Sequence, residues 1–217
     1  MYYTLLSLFK SQSYMVPKFD KNSPFCEFFL NYMIKIEMPK KSYIDDVANI
    51  NLYRESSHVD AEKWINVGYA RKSNTKESDH VRQRLLTAMI NKLKTKLLCQ
   101  KVFVSPISNA DNKFINRDKD KRTLKFMPSL KCDGTTEDLL LYLSSETRLV
   151  RLVSIDYAGL STNLGDLRSF VSDHKCIKEI VIDKGHHVEV FPRKQLLKDD
   201  ETLLVFRCRN KPVNRSK

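Results

Sequence analysis

The stretch WINVGYARKS, residues 64–73, joins an apolar segment to a short basic segment that ends in a serine. Its first part, Trp64–Ala70, combines aromatic and β-branched side chains, which favour a β-strand. Polar residues follow over Arg71–Asp79, as expected for a loop at the end of a strand. The stretch therefore predicts a strand whose carboxyl end carries Arg71 and Ser73 into a loop.

Apolar residues recur at helical spacing after this loop. Seven of them form one stripe that a helix would bury: Val81, Leu85, Leu86, Met89, Ile90, Leu93 and Leu97. Ser78 or Asp79 is placed to cap this helix. The run VFV at 102–104 predicts a second strand, and the spacing of Thr135 and Asp138 is that of a capping box ahead of a further helix.

The rest of the chain continues the alternation of strands and helices. Asp166–Val171 predicts a short helix. Further strands are predicted at Leu149–Ile155 and Cys176–Ile182, with edge strands at Val188–Phe191 and Thr202–Phe206. Strands separated by helices indicate βαβ units. We therefore predict an α/β domain over residues 63–206, with a mainly parallel sheet of four to five strands.

The two ends of the chain differ from this domain. Residues 1–62 contain a dense aromatic run, Phe25–Ile36, interrupted by prolines on both sides, and predict an irregular or partly helical N-terminal extension. Residues 207–217 hold five basic residues and no acidic one, which predicts a flexible basic tail. Between the second strand and the capping box, residues 105–133 form a long polar segment; loops of that length are usually functional or disordered.

The charge favours a polyanionic partner. The chain has 38 Lys and Arg residues against 26 Asp and Glu, a formal net charge of +12. Nucleic acid is the partner that such an excess indicates first, with an acidic membrane surface as the lesser option. No apolar run approaches the length of a membrane-spanning helix, so we expect no membrane insertion.

The cysteines and histidines indicate neither disulfides nor metal. The five cysteines are scattered and form no C-x-x-C pair, which favours a reducing, intracellular compartment. His174, His186 and His187 match no common zinc spacing. We therefore expect no metal and no cofactor.

Chemistry-bearing residues follow two of the predicted strands. In an open parallel sheet, ligands bind outside the carboxyl ends of the strands. Arg71 and Ser73 follow the first strand, and Asp156 follows the third. A serine hydroxyl beside arginines suits phosphoryl transfer, because the hydroxyl attacks phosphorus while guanidinium groups neutralise the phosphate oxygens.

The pattern Tyr-x-Arg-x-Ser at residues 69–73 resembles the opening motif of the serine recombinases, the family of the resolvases and invertases. In that family the serine attacks the scissile phosphate and forms a 5′-phosphoserine link, and the arginine two residues earlier contacts the phosphate. The resemblance implies a resolvase-like three-layer catalytic domain in which Ser73 is the nucleophile and Arg71 binds the phosphate. The chain is also similar to resolvase-like proteins encoded in fungal genomes, which share the IDYAGL-type sequence found at residues 155–160.

A second segment supports the same resemblance. IDYAGLSTNLGDLRSF, residues 155–170, resembles the family's segment with Asp-Arg-Leu-x-Arg-Ser and its following helix. By position, Asp156 corresponds to the family's aspartate and Ser161 to its serine. The family also carries an arginine in the loop after the second strand, and Arg117 is the best candidate for that role, although the spacing is stretched.

Two departures from the family bear on activity. Tyr157 and Leu160 stand where the family has two arginines that bind the phosphate and protonate the leaving oxygen. Loss of one such donor typically costs about 2.7–4 kcal/mol in catalysis. Strand exchange is therefore expected to be weak or lost, unless Lys72, Arg148 or Arg168 substitutes in part.

The second departure concerns DNA reading. Resolvases place a long dimerisation helix and a helix-turn-helix after the catalytic domain, whereas 35 residues follow Ile182 here. A sequence-specific reader is therefore expected from the N-terminal region or from another protein, if there is one. Contacts to DNA phosphates are expected from four basic residues: Lys72, Arg122, Arg207 and Arg209.

Three functions remain open from the sequence. The first is a serine site-specific recombinase derived from a mobile element, cleaving, exchanging or integrating DNA through Ser73; the family works as dimers that join into tetramers, and a eukaryotic source would suit a nuclear location. The second is a noncatalytic DNA-binding or assembly module on the same fold. The third is a small α/β enzyme acting on a phosphorylated small molecule, although five glycines and no glycine-rich phosphate loop count against it.

Overall fold

The computed structural model describes residues 41–59 and 61–207, with side chains from residue 49 onward. Expectations for residues 1–40 and for the tail from 208 to 217, including the DNA contact of Arg209, lie outside the described residues. The strands are β1 (Trp64–Arg71), β2 (Lys101–Ser105), β3 (Leu149–Ser154), β4 (Ile177–Asp183) and β5 (Val188–Pro192). The helices are α1 (Lys41–Val59), α2 (Asp79–Thr95), α3 (Arg122–Phe126), α4 (Thr136–Ser145), α5 (Tyr157–Leu160), α6 (Leu164–Asp173), α7 (Arg193–Lys198) and α8 (Asp200–Leu204).

The five strands form one sheet in the order β2-β1-β3-β4-β5. β1 pairs in parallel with β2 and β3, and β3 pairs in parallel with β4. β5 is antiparallel to β4 and lies at the edge. The predicted α/β class and the mainly parallel sheet are confirmed.

Helices cover both faces of the sheet. On β1, Ile65, Val67 and Tyr69 point to the face covered by α4, α6, α7 and α8, and belong to one buried cluster. Ala70 points to the opposite face, where α1 and α2 pack in a second cluster. Gly68 lies on that second face, where an added Cβ would come within 3.2 Å of the Leu93 side chain, so the glycine permits the close approach of α2.

Helix α2 follows the predicted stripe closely. Ser78 caps it, because its side chain accepts a hydrogen bond from the backbone N–H of Val81. Leu86, Ile90 and Leu93 are buried along the stripe, whereas Leu85 is exposed. The capping box of α4 is also present, with Asp138 accepting from the backbone N–H of Thr135 at 2.7 Å.

Two regions differ from expectation. Thr202–Phe206, predicted as an edge strand, lies largely within helix α8, so that prediction is wrong. Asp199 caps this helix, and Leu203 and Phe206, three residues apart, are buried on one side. The long polar segment 105–133 contains α3 and two short 3₁₀ helices, Phe114–Asn116 and Met127–Ser129.

Helix α1 lies wholly within residues 1–62, the stretch predicted to be an N-terminal extension. From Tyr43 onward it forms one compact unit with the sheet domain. The hydroxyl of Tyr53 donates to the Leu97 carbonyl at 3.0 Å, and Asn66 of β1 donates to Ser57 Oγ at 3.0 Å. This end of α1 is therefore anchored to the sheet by buried polar contacts.

Candidate functional site

The strand order creates a crevice at the carboxyl ends of β1 and β3. The chain leaves β1 towards β2 on one side and reaches β3 on the other, so the connections diverge at β1. Such topological switch points are where ligands bind in open α/β sheets. Arg71 is the last residue of β1 and lies opposite Ser105 of β2.

Arg71 ties together the loops that follow three strands. Its Nε donates to the Ala158 carbonyl in α5 at 3.0 Å, and Nη2 donates to the same oxygen. Its Nη1 donates to the Ser108 carbonyl after β2 and to Ser73 Oγ at 3.1 Å. The guanidinium is thus buried, with one hydrogen bond directed at the predicted nucleophile.

Ser73 is positioned through its backbone by Arg82, a residue that the sequence reasoning missed. Arg82 Nη1 donates to the Ser73 carbonyl at 2.7 Å and to the Pro106 carbonyl at 2.8 Å. The side chain is buried on α2 at the stripe position four residues before Leu86. The sequence did carry a signal for Arg82: it lies four residues before Leu86, on the side of the helix that the apolar stripe predicts to be buried.

Lys72, predicted to contact DNA, is paired within the loop. Its ammonium lies 2.9 Å from a carboxylate oxygen of Glu77, which also bonds Arg82 at 2.8 Å. Burial alone would raise the pKa of Glu77, but hydrogen bonds from Thr75 and Lys72 and the charge of Arg82 hold it below its usual value. The Lys72 charge therefore mainly stabilises the loop in this conformation.

Arg117 lies at the same edge of the sheet but is enclosed, with 2 % of its surface exposed. Its Nη1 donates to the Leu160 carbonyl at 2.7 Å and to the Tyr69 hydroxyl at 3.0 Å. Its Nε donates to the Asn112 carbonyl at 3.1 Å, and the guanidinium stacks 4.1 Å from the Phe114 ring centre. The predicted phosphate ligand is therefore held as a structural link and, in this conformation, does not face solvent.

The two buried arginines are held by neutral oxygen acceptors, although the charges of Asp156 and Asp111 act on Arg71 from nearby. Among the described residues neither Arg71 nor Arg117 forms a salt bridge; their acceptors are carbonyl and hydroxyl oxygens. Burial, and then the charge of Arg117, lower the pKa of Arg71 to about 10. The crevice thus holds buried positive charge that an incoming anion would compensate.

Asp156 follows β3 and acts as a helix cap. Its carboxylate accepts a hydrogen bond from the backbone N–H of Gly159 in the first turn of α5. The side chain is exposed, and its negative charge opposes part of the lowering of the Arg71 pKa that burial causes. The structure thus brings Asp156 to the same edge as Arg71, in a capping position. Ser161 is buried and bonds the Ala110 carbonyl at 3.3 Å.

Tyr157 and Leu160, which stand in place of the family's two arginines, pack into the domain. The Tyr157 ring meets Phe206 edge-on with centres 5.2 Å apart, and its hydroxyl donates to Glu189 of β5. Leu160 is fully buried. Neither position supplies a cation to the crevice.

The other predicted DNA contacts lie at the surface. Arg122 is exposed and pairs with Asp120 at 2.6 Å. Arg207 is exposed at the end of the described residues. Neither lies among the residues that contact Ser73.

A cavity of about 210 Å³ opens at the loop that carries Ser73; its lining includes the next residue, Asn74, but not Ser73 itself. The loop after β1 contributes Asn74, and the segment after β2 contributes the rest of the lining: Ile107, Ser108, Asn109, Asn112, Asn116, Asp118, Lys119 and Asp120. The lining is almost entirely polar, with four asparagines. None of these residues is among the site residues predicted from the sequence.

Metal-binding and membrane-spanning features are not found over residues 41–59 and 61–207. No three His, Cys, Asp or Glu side chains in these ranges are arranged to hold a metal ion. No helix in the same ranges is long and apolar enough to cross a membrane. Cys99, Cys132 and Cys176 are free thiols.

Comparisons with protein-family models, with curated proteins and with solved structures find no match to this chain. The function is therefore inferred from the chain's own residues and their geometry.

Proposed function

We propose that the protein is a serine-recombinase-like DNA-binding protein on a resolvase-like three-layer fold, with Ser73 as its nucleophile. The observation that carries the proposal is the hydrogen bond from Arg71 Nη1 to Ser73 Oγ, 3.1 Å long, at the carboxyl ends of β1 and β3. A guanidinium that donates to a hydroxyl favours the ionised, nucleophilic form of that oxygen. The position of the pair, at the switch point of the sheet, is where a substrate is expected.

The proposed step is a transesterification. Ser73 Oγ attacks phosphorus, loses its proton, and forms a phosphoserine ester with the 5′ end of the cut strand. The bond from phosphorus to the 3′ oxygen breaks, and that oxygen takes up a proton as the free 3′ hydroxyl. Attack of a 3′ hydroxyl on the phosphoserine reverses the step and releases Ser73, so no external energy source is needed.

The electrostatics of the crevice support binding of the phosphate. Arg71 and Arg117 bring two positive charges into the protein without a salt bridge in the described residues, and Asp156 and Asp111 offset only part of the Arg71 charge. Buried charge without a counter-ion is unfavourable, so an anion at this edge would be stabilised. The same two arginines would stabilise the negative charge that develops on the phosphate oxygens during attack.

A second candidate, a noncatalytic DNA-binding module on the same fold, is favoured by the way the arginines are used. Four of the five N–H groups of Arg71 already donate to protein oxygens, as do four of those of Arg117. One N–H group of each guanidinium is left, so a two-point contact of either guanidinium with a phosphate would require one of these bonds to break. DNA binding would then persist without cleavage.

A covalent-trapping assay separates the two candidates. The full chain is mixed with supercoiled, nicked and mixed-sequence DNA, denatured, and examined for a protein–DNA adduct. The expected result is an adduct that disappears in Ser73→Ala and persists in the matched control Ser144→Ala, an exposed serine on α4. Salt-sensitive DNA binding without an adduct on any target would favour the noncatalytic module, and absence of binding at low salt would reject both.

A further inference from the structure

The cavity at the loop that carries Ser73 presents a set of unused hydrogen-bond donors. Four carboxamides line it, and no hydrogen bond from their side chains to the described part of the protein is found: Asn74, Asn109, Asn112 and Asn116. Each carboxamide carries two N–H donors and one acceptor oxygen. The four side chains together place neutral hydrogen-bond donors around the cavity. The resemblance to the serine recombinases implied guanidinium groups as the phosphate ligands.

Two residues that line this cavity accept hydrogen bonds from the buried arginines through their backbone carbonyl oxygens. Ser108, which lines the cavity, accepts from Arg71 through its carbonyl oxygen. Asn112, which also lines it, accepts from Arg117 through its carbonyl oxygen at 3.1 Å. Each guanidinium is therefore one peptide group behind the lining, close enough for its charge to act there without direct contact.

The acidic residues of the lining do not cancel this charge. Asp120 is paired with Arg122. Asp118 accepts from Ser105 Oγ at 2.8 Å and from the Thr136 backbone N–H at 3.0 Å, but no cation pairs with it in the described residues.

Lys119 adds an exposed ammonium to the rim. Its charge and those of Arg71 and Arg117 act on the cavity together with the carboxylate of Asp118, and Asp111 and Asp156 offset part of the Arg71 charge. The segment 105–133, which supplies every lining residue except Asn74, carries seven Lys and Arg against four Asp, and this net positive charge favours an anion.

We propose that the asparagine-lined cavity binds a phosphate group, held by the carboxamide N–H groups and Lys119 within the field of Arg71 and Arg117. The inference rests on the proposed function and deepens it, since it places the substrate phosphate against neutral donors, one of which, Asn74, follows Ser73 in the chain. Preorganised neutral donors stabilise oxyanions in other enzymes. A volume of about 210 Å³ admits a phosphate with part of its attached sugar and is smaller than a typical drug-sized pocket.

The phosphate has two sources that the test must distinguish, a nucleic-acid backbone and a free phosphorylated molecule. The side-chain amide signals of the full chain are followed by NMR during titration with inorganic phosphate, a deoxydinucleotide, and the same dinucleotide with an uncharged methylphosphonate link. We expect saturable shifts of the Asn109 and Asn112 amide signals with the charged dinucleotide and none with the uncharged one. Equal shifts with both dinucleotides, or none with any ligand, would overturn the proposal.

An isosteric variant tests the site itself. Asn109→Asp replaces the amide donor with a carboxylate of the same size. We expect phosphate affinity to fall at least tenfold, because the negative carboxylate repels the phosphate. Asn91→Asp makes the same change on the exposed side of α2, about 18 Å along the helix from its first residue, and is expected to leave the affinity unchanged. Asn116→Asp is a second, exposed variant if Asn109→Asp does not fold.

The outcomes separate this inference from the proposed cleavage. An adduct through Ser73 that Asn109→Asp and Asn116→Asp leave unchanged, with unaltered phosphate affinity, would reject the cavity and retain the nucleophile. Loss of phosphate binding in the variants, without an adduct in the parent protein, would retain the cavity and reject cleavage. Shifts with inorganic phosphate but not with the dinucleotide would support the phosphate site and assign it to a phosphorylated small molecule.

Discussion

At the scale of single residues, the buried arginines of the crevice donate their hydrogen bonds mainly to the protein itself and so stabilise its loops. Arg117 links Leu160 of α5 to Tyr69 of β1 and stacks on Phe114. Arg82 fixes the backbone of Ser73 from α2. Because Ser73 lies in a loop, its position depends on these buried contacts, and a substitution in them would act on the site through its geometry.

Arg117→Met tests this structural role. Methionine fills much of the same volume but leaves the Leu160 and Asn112 carbonyls without their donor, so we expect a loss of about 1–3 kcal/mol in the free energy of unfolding. Urea denaturation of the full chain measures it. Arg122→Met, at an exposed position on α3, is the matched control and should unfold at nearly the parent concentration. Equal unfolding midpoints for Arg117→Met and the parent would show that the buried bonds contribute nothing.

At the scale of elements, helix α2 is joined to the end of β4 by charge. Asp183, whose side chain is fully buried, lies 2.6 Å from the Lys92 ammonium and 2.8 Å from that of Lys96. Burial would raise the pKa of this carboxyl, but hydrogen bonds from both lysines and from the Gly185 backbone hold it below the ordinary value of 3.8. The ionised form is thus the one that the fold stabilises.

The variant Asp183→Asn tests how the charge of Asp183 makes the free energy of unfolding depend on pH. A carboxyl whose pKa is lower in the folded state stabilises the fold above its unfolded pKa and loses that contribution as the pH falls through the folded value. We expect the variant to be less stable by about 1–3 kcal/mol at pH 7, and the difference to shrink as the pH falls below 3.8.

Unfolding curves at a series of pH values measure the difference. Asp173→Asn, at the exposed end of α6, is the control and should show no such trend. A difference between Asp183→Asn and the parent that is constant from pH 7 to pH 3 would contradict the linkage.

At the scale of the whole molecule, basic residues concentrate where the site is. The segment 105–133, at the carboxyl edge, carries seven Lys and Arg against four Asp. Lys113, Lys119 and Lys121 are exposed there. A DNA backbone that reached Ser73 would pass this rim, so the rim is expected to supply the nonspecific part of any DNA affinity.

The salt dependence of DNA binding tests this orientation. Replacing both Lys113 and Lys121 by alanine should reduce the magnitude of the slope of log K against log salt by about 1.8, at roughly 0.9 for each phosphate that is no longer neutralised. Replacing Lys63 and Lys175 makes the same charge change ahead of β1 and β4, at the opposite edge of the sheet. That control should leave the slope unchanged, and equal effects of the two pairs would show that DNA does not favour the carboxyl edge.

Local patterns in the sequence were sufficient for most elements of the sheet domain. Side chains alternate between the two faces of a strand and return to the same face of a helix every three to four residues. For this reason the buried elements could be predicted from the apolar runs at residues 64–70 and 149–155 and from the apolar stripe of α2. The parallel sheet followed from their alternation, and the placement of Arg71 and Asp156 at one edge followed from the sheet. The helical character of Thr202–Phe206 did not, since a short apolar run fits either a strand or a helix.

The sequence by itself thus determined the class of the fold and the edge at which Ser73 lies, because both depend on local periodicity and strand direction. Only the tertiary structure decided which side chains line the cavity and which are enclosed. The contacts that enclose Arg117 reach Tyr69 and Leu160, 48 and 43 residues away, and the asparagine-lined cavity joins the loops after β1 and β2. Contacts between distant segments leave no periodic trace in the chain, so an arginine that binds a phosphate and one that links two loops look the same until the chain has folded.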